Sequence, residues 1–176
     1  NIYGLDLPVY DKNGGYTWNW LPFLWQNGGE FLNDDRTEAM FNSPEGVEAL
    51  EFWKKMVQED KSVPLQAAPT GVNRFTSGIT AMVIDGPWNL STFLSDPKFK
   101  DKFGVAPLPQ KKTQATVVGG EGVVVFSNTK SPQEAYDYLV HLTCSDFVQT
   151  FWENWITIPP QPEFKDFYAN DSEYGP

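Results

Sequence analysis

Phe75-Thr76-Ser77-Gly78-Ile79-Thr80-Ala81-Met82-Val83-Ile84-Asp85-Gly86-Pro87-Trp88 is the stretch whose reading decides the fold. Its middle, Ala81 to Ile84, is a continuous apolar run between polar and turn residues, the pattern of a strand buried on both faces of a sheet. Asp85, Gly86 and Pro87 stop such a strand and open a turn, which places Trp88 at the mouth of the sheet. Ligands of open α/β sheets sit in the crevice beyond the strand C-termini. A flat indole there is a platform for a ring-shaped, sugar-like ligand. The same indole also fits a structural role, plugging the start of the next helix, and the local residues do not separate the two.

Outward from this strand, the rest of the chain alternates strands with helices. Ile2 to Pro8 reads as a short strand, followed by the Asp11-Lys12-Asn13-Gly14-Gly15 loop. Trp18 to Asn27 is helical, with Trp20, Phe23, Leu24 and Asn27 on one stripe and Trp18, Leu21, Pro22 and Trp25 on another, so one stripe is free to line a cleft. Gly28-Gly29 ends that helix as a left-handed cap requires. Asn42-Ser43-Pro44-Glu45 opens a helix to about Glu59, with a capping hydroxyl, a proline in the first turn and a carboxylate near the positive end of the dipole. Its expected apolar face is Val47, Leu50, Trp53 and Val57, with Trp53 read as core. Asn73 to Ser77 reads as a short helix, as does the run from Trp88 to Ser95, which ends at the Asp96-Pro97 turn.

Phe103 to Pro107 is expected as another strand, Lys111 to Val118 as a polar, flexible connection, and Val123 to Phe126 as a second strand buried on both faces. Ser131-Pro132-Gln133-Glu134 is a capping box opening a helix with Ala135, Tyr138, Leu139 and Leu142 on one face. A further helix is expected from Ser145, carrying Phe147, Val148, Phe151, Trp152 and Trp155. No internal repeat is visible. The pattern favours an α/β or mixed α+β fold over a sandwich or bundle. Residues 1–176 read as a single domain, with 163–176 a polar tail.

Composition narrows the function. A chain of 176 residues buries roughly 70% of the surface its unfolded form exposes, enough for one real core. A net charge of −10 argues against nucleic acid or anionic membrane as partner, since both demand a basic patch. Aromatics make up 15% of the chain, with seven Trp, more than a core of this size needs, so some are expected on a recognition surface. Cys144 is the only cysteine, which excludes an internal disulfide and a C-x-x-C motif, and its helical setting reads as burial. No apolar run reaches the ~18 residues of a membrane span, and the first residues lack a signal-peptide pattern.

Catalytic signatures are sparse. His141 is the only histidine, so imidazole metal clusters are impossible and no Gly-x-Ser-x-Gly turn accompanies it. Gly119-Gly120-Glu121-Gly122 lacks the Lys and Ser/Thr of a phosphate loop, but its glycines allow close approach to backbone N–H groups. Asp34-Asp35 lacks the alternating ligands of a calcium loop, and the Asn89-Leu90-Ser91 sequon is too short to carry weight. Asp85 and Glu121, both at strand ends, could face each other as a glycosidase pair or accept hydrogen bonds from sugar hydroxyls. The second reading is preferred.

Four segments, in order, carry a family resemblance: Trp20-Leu21-Pro22-Phe23-Leu24-Trp25-Gln26-Asn27-Gly28-Gly29, Phe41-Asn42-Ser43-Pro44-Glu45-Gly46-Val47-Glu48-Ala49-Leu50, the Phe75–Trp88 stretch, and Phe103-Gly104-Val105-Ala106-Pro107-Leu108-Pro109 with Gly119-Gly120 and the Ser131 helix. Together they resemble the C-terminal lobe of extracellular solute-binding proteins of carbohydrate ABC importers, the maltose-binding-protein type. The resemblance implies a periplasmic-binding-protein-like fold, with residues 1–176 a single three-layer lobe of a central, mostly parallel sheet flanked by helices. It implies a non-catalytic lobe that binds a mono- or oligosaccharide without cofactor or metal. By motif position it implies contacts from Trp18, Trp88, Gly119, Gly120 and Glu121, to which the strand-end reading adds Asp85. It further implies ABC permease subunits and an absent N-terminal lobe as partners, and an extracellular, periplasmic or lipoprotein-anchored location. The rivals are a small glycoside hydrolase using Asp85 and Glu121, and a non-catalytic interaction fragment whose exposed aromatics mark where a missing lobe docks.

Overall fold

The computed structural model describes residues 2–9, 15–120, 122–144 and 150–151. It contains two compact units, Asn1–Ile84 with Phe103–Gly119, and Asp85–Lys102 with Gly120–Pro176.

In the first unit, β1 (Tyr3–Asp6) and β2 (Thr80–Val83) form a parallel pair, with α1 (Gly15–Gln26) and α2 (Pro44–Gln58) in the connection between them. Parallel neighbours require such a crossover, so the element order alone accounts for the mixed α/β class. The register sets Tyr3 opposite Thr80, Leu5 opposite Met82 and Asp6 opposite Val83. Gly4 and Leu5 also donate their N–H groups to the Ser62 carbonyl at 2.8 and 3.1 Å. Arg74, 5% exposed, locks the end of β1 to the entrance of β2. Its Nη1 donates to Asp6 Oδ1 at 2.9 Å, Nη2 donates to the Gln66 carbonyl, and its own carbonyl accepts from the Ile79 and Thr80 N–H groups. A buried cation held this way is costly to orphan.

The helix ends follow the residues at them. Gly28 takes φ +81, and the Gly28 and Gly29 N–H groups donate to the Trp25 and Leu24 carbonyls at 2.8 and 3.0 Å. That pair of bonds is a Schellman cap. At the start of α2, Ser43 Oγ accepts from the Gly46 N–H at 3.2 Å. Leu7, Trp20, Leu24, Ala49, Trp53, Met56 and Val63 form the core, with Leu5 and Ile84 packed against it. Trp53 is therefore core, as its spacing predicts, and meets Phe23 edge to face at 5.6 Å.

Several expectations are corrected. The buried face of α2 is Gly46, Ala49, Trp53 and Met56, while Val47 and Leu50 (54% exposed) point outward. A Cβ on Gly46 would overlap the Phe41 carbonyl just before the helix, so a small residue is needed where this face is buried. The central strand lies where the apolar run predicts, but it is not buried on both faces, since Met82 is 57% exposed. Such burial needs layers above and below, and among the described residues β2 is paired only with β1. Phe103–Pro107 and Val123–Phe126 likewise form no ladder among the described residues, and Val105, Val124 and Phe126 are exposed. Asn73–Ser77 is one turn, closed by Ser77 N–H to Asn73 carbonyl at 3.1 Å, without becoming a helix.

The second unit contains a 3₁₀ turn at Pro87–Asn89, α3 (Leu90–Ser95) and α4 (Pro132–Cys144). Phe93 is buried and meets Phe99 edge to face at 5.8 Å, and the Asp96 carboxylate accepts the Lys98 N–H at 2.8 Å to make the expected turn. On α4, Tyr138 is exposed, against the expected apolar face. The expected helix from Ser145, apart from residues 150–151, the 163–176 tail and the Cys144 side chain lie outside the described residues.

Replacing fully buried Leu24 by Ala is expected to cost about 3 kcal/mol in urea unfolding. Leu50→Ala on the outward face of the neighbouring helix should cost less than about 0.5 kcal/mol. Equal losses would contradict the observed helix faces.

Candidate functional site

Trp18 lies in α1, and its indole is 42% exposed. Four residues on, Pro22 sits inside the same helix. Proline has no N–H to return, so the Trp18 carbonyl loses its helical donor. The ring is seated on Gly119, where a Cβ would overlap its distal atoms. The open backbone expected at Gly119 is therefore occupied by the Trp18 indole.

Gly119 ends a strap that proves not to be the loose connection expected of Lys111–Val118. Lys112 and Thr113 donate their N–H groups to the Gln26 carbonyl at 2.8 and 3.2 Å, and Gln26 Nε2 donates to the Ala115 carbonyl at 2.8 Å. Lys111 Nζ reaches Glu48 Oε1 at 2.5 Å and Lys112 Nζ reaches Glu45 Oε1 at 3.9 Å. Asn27 Nδ2 crosses from α1 to α2, donating to the Glu45 carbonyl at 2.9 Å and Glu48 Oε2 at 2.8 Å. The hydrogen bond from Lys111, then that from Asn27, hold the Glu48 carboxyl below its ordinary pKa. Gln26 and Asn27 were missed as organising residues because hydrophobic periodicity ignores amides. The signal was a Gln-Asn pair at a helix end, immediately before two glycines.

In the second unit Trp88, 48% exposed, folds back over its own turn. A Cβ on Gly86 would overlap its six-membered ring, so glycine there lets the indole lie this close to the backbone. Asp85 Oδ1 accepts the Gly86 N–H at 2.8 Å and Oδ2 accepts Asn89 Nδ2 at 2.6 Å. Both carboxylate oxygens thus already organise the turn that presents the indole. A Cβ on Gly120 would meet open space, and Glu121 lies outside the described residues. Trp18 and Gly119 are in contact within the first unit, while Asp85, Gly86 and Trp88 form the second unit's cluster. His141 is exposed on α4. Among the described residues no group of three or more His, Cys, Asp or Glu could hold a metal ion, and no helix is long and apolar enough to cross a membrane.

Each unit thus carries a half-exposed indole seated on glycine backbone. The model of the bacterial extracellular solute-binding protein family matches residues 9–175, and the chain belongs to that family. A binding protein of Brucella abortus is 29% identical over 157 residues, which is 85% of this chain and 38% of that protein. The lactose-binding protein of Rhizobium radiobacter is 26% identical over 148 residues, covering 81% of this chain and 34% of that protein. Among solved structures, an ABC transporter solute-binding protein of Thermotoga lettingae bound to α-D-tagatose superposes with a TM-score of 0.77 at 27% identity, over 98% of this chain and 46% of that one. The acarbose-binding GacH receptor of Streptomyces glaucescens superposes with a TM-score of 0.78 at 25% identity, over 97% and 43%. The chain thus spans less than half the length of each of these proteins.

Two outcomes test the local geometry. Because the folded-state pKa of Glu48 is lowered, its contribution to stability is present above the ordinary glutamate value of about 4.3 and is lost as pH falls through the folded value. Wild type should therefore exceed Glu48→Gln in melting temperature at neutral pH, with the gap closing in acid; a gap that widens in acid would contradict the assignment. Gly86→Ala, at a backbone φ of −118 that alanine tolerates, should displace the Trp88 indole N–H resonance while leaving that of Trp18 in place. An unmoved Trp88 signal would contradict the close seat.

Proposed function

We propose that this chain is a carbohydrate-binding lobe of a solute-binding protein serving an ABC importer, one half of a two-lobed trap that closes on its ligand and performs no chemistry. The observation that carries the proposal is the pair of half-exposed indoles, Trp18 and Trp88, each held against glycine backbone. A pyranose presents apolar C–H faces and a rim of hydroxyls. Its site therefore needs aromatic platforms with acceptors and donors beside them. Trp18 and Trp88 are the platforms, Gly119 seats the first of them, and Asp85, Gly120 and Glu121 are the remaining expected contacts. Sugars and sugar-like ligands in the names of several relatives point the same way.

In this proposal residues 1–176 act as a single lobe. The missing lobe supplies the other wall of the cleft, and permease subunits in the membrane receive the closed complex, on the outer side of the cytoplasmic membrane. A ligand held between lobes can be buried on both faces, which one lobe alone cannot do. The glycosidase alternative is disfavoured because both oxygens of Asp85 are tied into the turn by Gly86 and Asn89, which leaves neither free as acid or nucleophile, although each keeps a second lone pair that can accept from a hydroxyl.

Calorimetric titration of a two-lobed form with maltose and lactose tests the proposal. Trp18→Ala and Trp88→Ala should each weaken binding of the preferred sugar by about tenfold, equivalent to 1.4 kcal/mol. If no saccharide binds, or if both variants bind as wild type does, the proposal fails.

A further inference from the structure

Val123-Val124-Val125-Phe126, in the second unit, is an apolar run left uncovered. Its residues are 53, 68, 39 and 74% exposed. Successive residues of a strand point to opposite faces, so side chains of both sets are open to solvent. The edges are open as well. Among the described residues no N–H or carbonyl of Val123, Val124 or Val125 makes a hydrogen bond, and the Phe126 carbonyl accepts the Thr129 N–H of the following turn at 3.1 Å. Three β-branched residues and a phenylalanine suit a pleated, buried ladder. Folded surfaces avoid leaving such a run bare on its faces and its edges together.

The next element is bare too. Residues 127–131 lead from this run into α4, a connection of the length that joins strand to helix in α/β units. On α4, Tyr136 and Val140 are exposed, and residues four apart share one face of a helix. A strand-like run and the helix after it are thus one βα unit without the sheet that such units pack on. What covers it must supply edges for the backbone and layers for both faces. A second copy pairing edge to edge would satisfy backbone groups and leave the valine faces in water, and two chains of net charge −10 repel each other. A folded lobe with a sheet between layers supplies both, and this chain spans less than half the length of the relatives it matches.

We propose that residues 123–126 enter, as an interior strand, the sheet of the lobe that lies outside residues 1–176, with α4 packed on a face of that sheet. The partner is the other half of the same two-lobed protein, held by backbone hydrogen bonds and apolar burial at a surface that uses neither indole. The inference rests on the two-lobed reading above.

Amide hydrogen exchange, compared between residues 1–176 alone and a two-lobed form, tests it. In residues 1–176 the Val123, Val124 and Val125 amides should exchange close to the free-peptide rate. In the two-lobed form they should be slowed at least about a hundredfold. Val124→Asp and Val125→Asp, on opposite faces of the strand, should each reduce that protection at least about tenfold and leave the α2 amides unchanged. Should a variant fail to fold, the wild-type comparison decides alone. The inference is overturned if these amides exchange freely in the two-lobed form, if they are already protected in residues 1–176 at any concentration, or if either Asp variant keeps full protection. A two-lobed form that binds a saccharide while these amides exchange freely overturns this inference and leaves the proposed function standing; protected amides in a form that binds no saccharide do the reverse.

Discussion

Two amide side chains at the end of one helix hold the first unit in register. Gln26 and Asn27 are both nearly fully buried, and each reaches a different partner: Gln26 takes the strap, Asn27 takes α2. Their amide N–H groups donate across the junction, so their presence at the Schellman turn fixes what lies on either side. Gly28 and Gly29 turn the chain away within two residues. This leaves room for Lys112 beside Gly28 and for Glu45 and Leu24 beside Gly29.

The consequence reaches Trp18. The strap pinned at Lys112, Thr113 and Ala115 runs directly to Gly119, the residue under the indole. The platform is therefore set by a chain of contacts from α2 through Glu48 and Lys111, and from α1 through Gln26. Trp88 is placed by a different and more local device, a five-residue turn in which Asp85 caps Gly86 and Asn89 and the ring closes over the glycine. Both devices leave close to half of an indole open while fixing the rest, which suits a surface that must meet a rigid ring at low entropic cost.

Elements with strong local signals were legible in the sequence. The Ser43-Pro44 start and the Gly28-Gly29 stop of the helices lie where the residues place them, because caps depend on only a few neighbouring atoms. The position of β2 followed from four apolar residues ending at Asp85-Gly86-Pro87. Burial was less legible, because it depends on what packs against an element. Met82, Leu50 and Val124 are apolar by sequence and exposed in the structure, and α2 turns Gly46 and Ala49 inward, with the Phe41 carbonyl occupying the space a Cβ at Gly46 would need. The strap was misread as loose because its restraints come from Gln26, Glu45 and Glu48, more than 60 residues away in the chain. The glycine seats under Trp18 and Trp88 were hidden for a related reason. Sequence identifies a glycine but not the ring that occupies the missing Cβ.

The central claim is that the α1 terminus, through Gln26 and the strap, holds the Trp18 ring on Gly119. Nuclear Overhauser contacts between the Trp18 ring protons and the Gly119 Hα protons, compared between wild type and Gln26→Leu, test it most directly. The contacts should be strong in wild type and lost or greatly weakened when the Gln26 amide can no longer bond the Ala115 carbonyl. Their absence in wild type, or their persistence at full strength in the variant, would contradict the account.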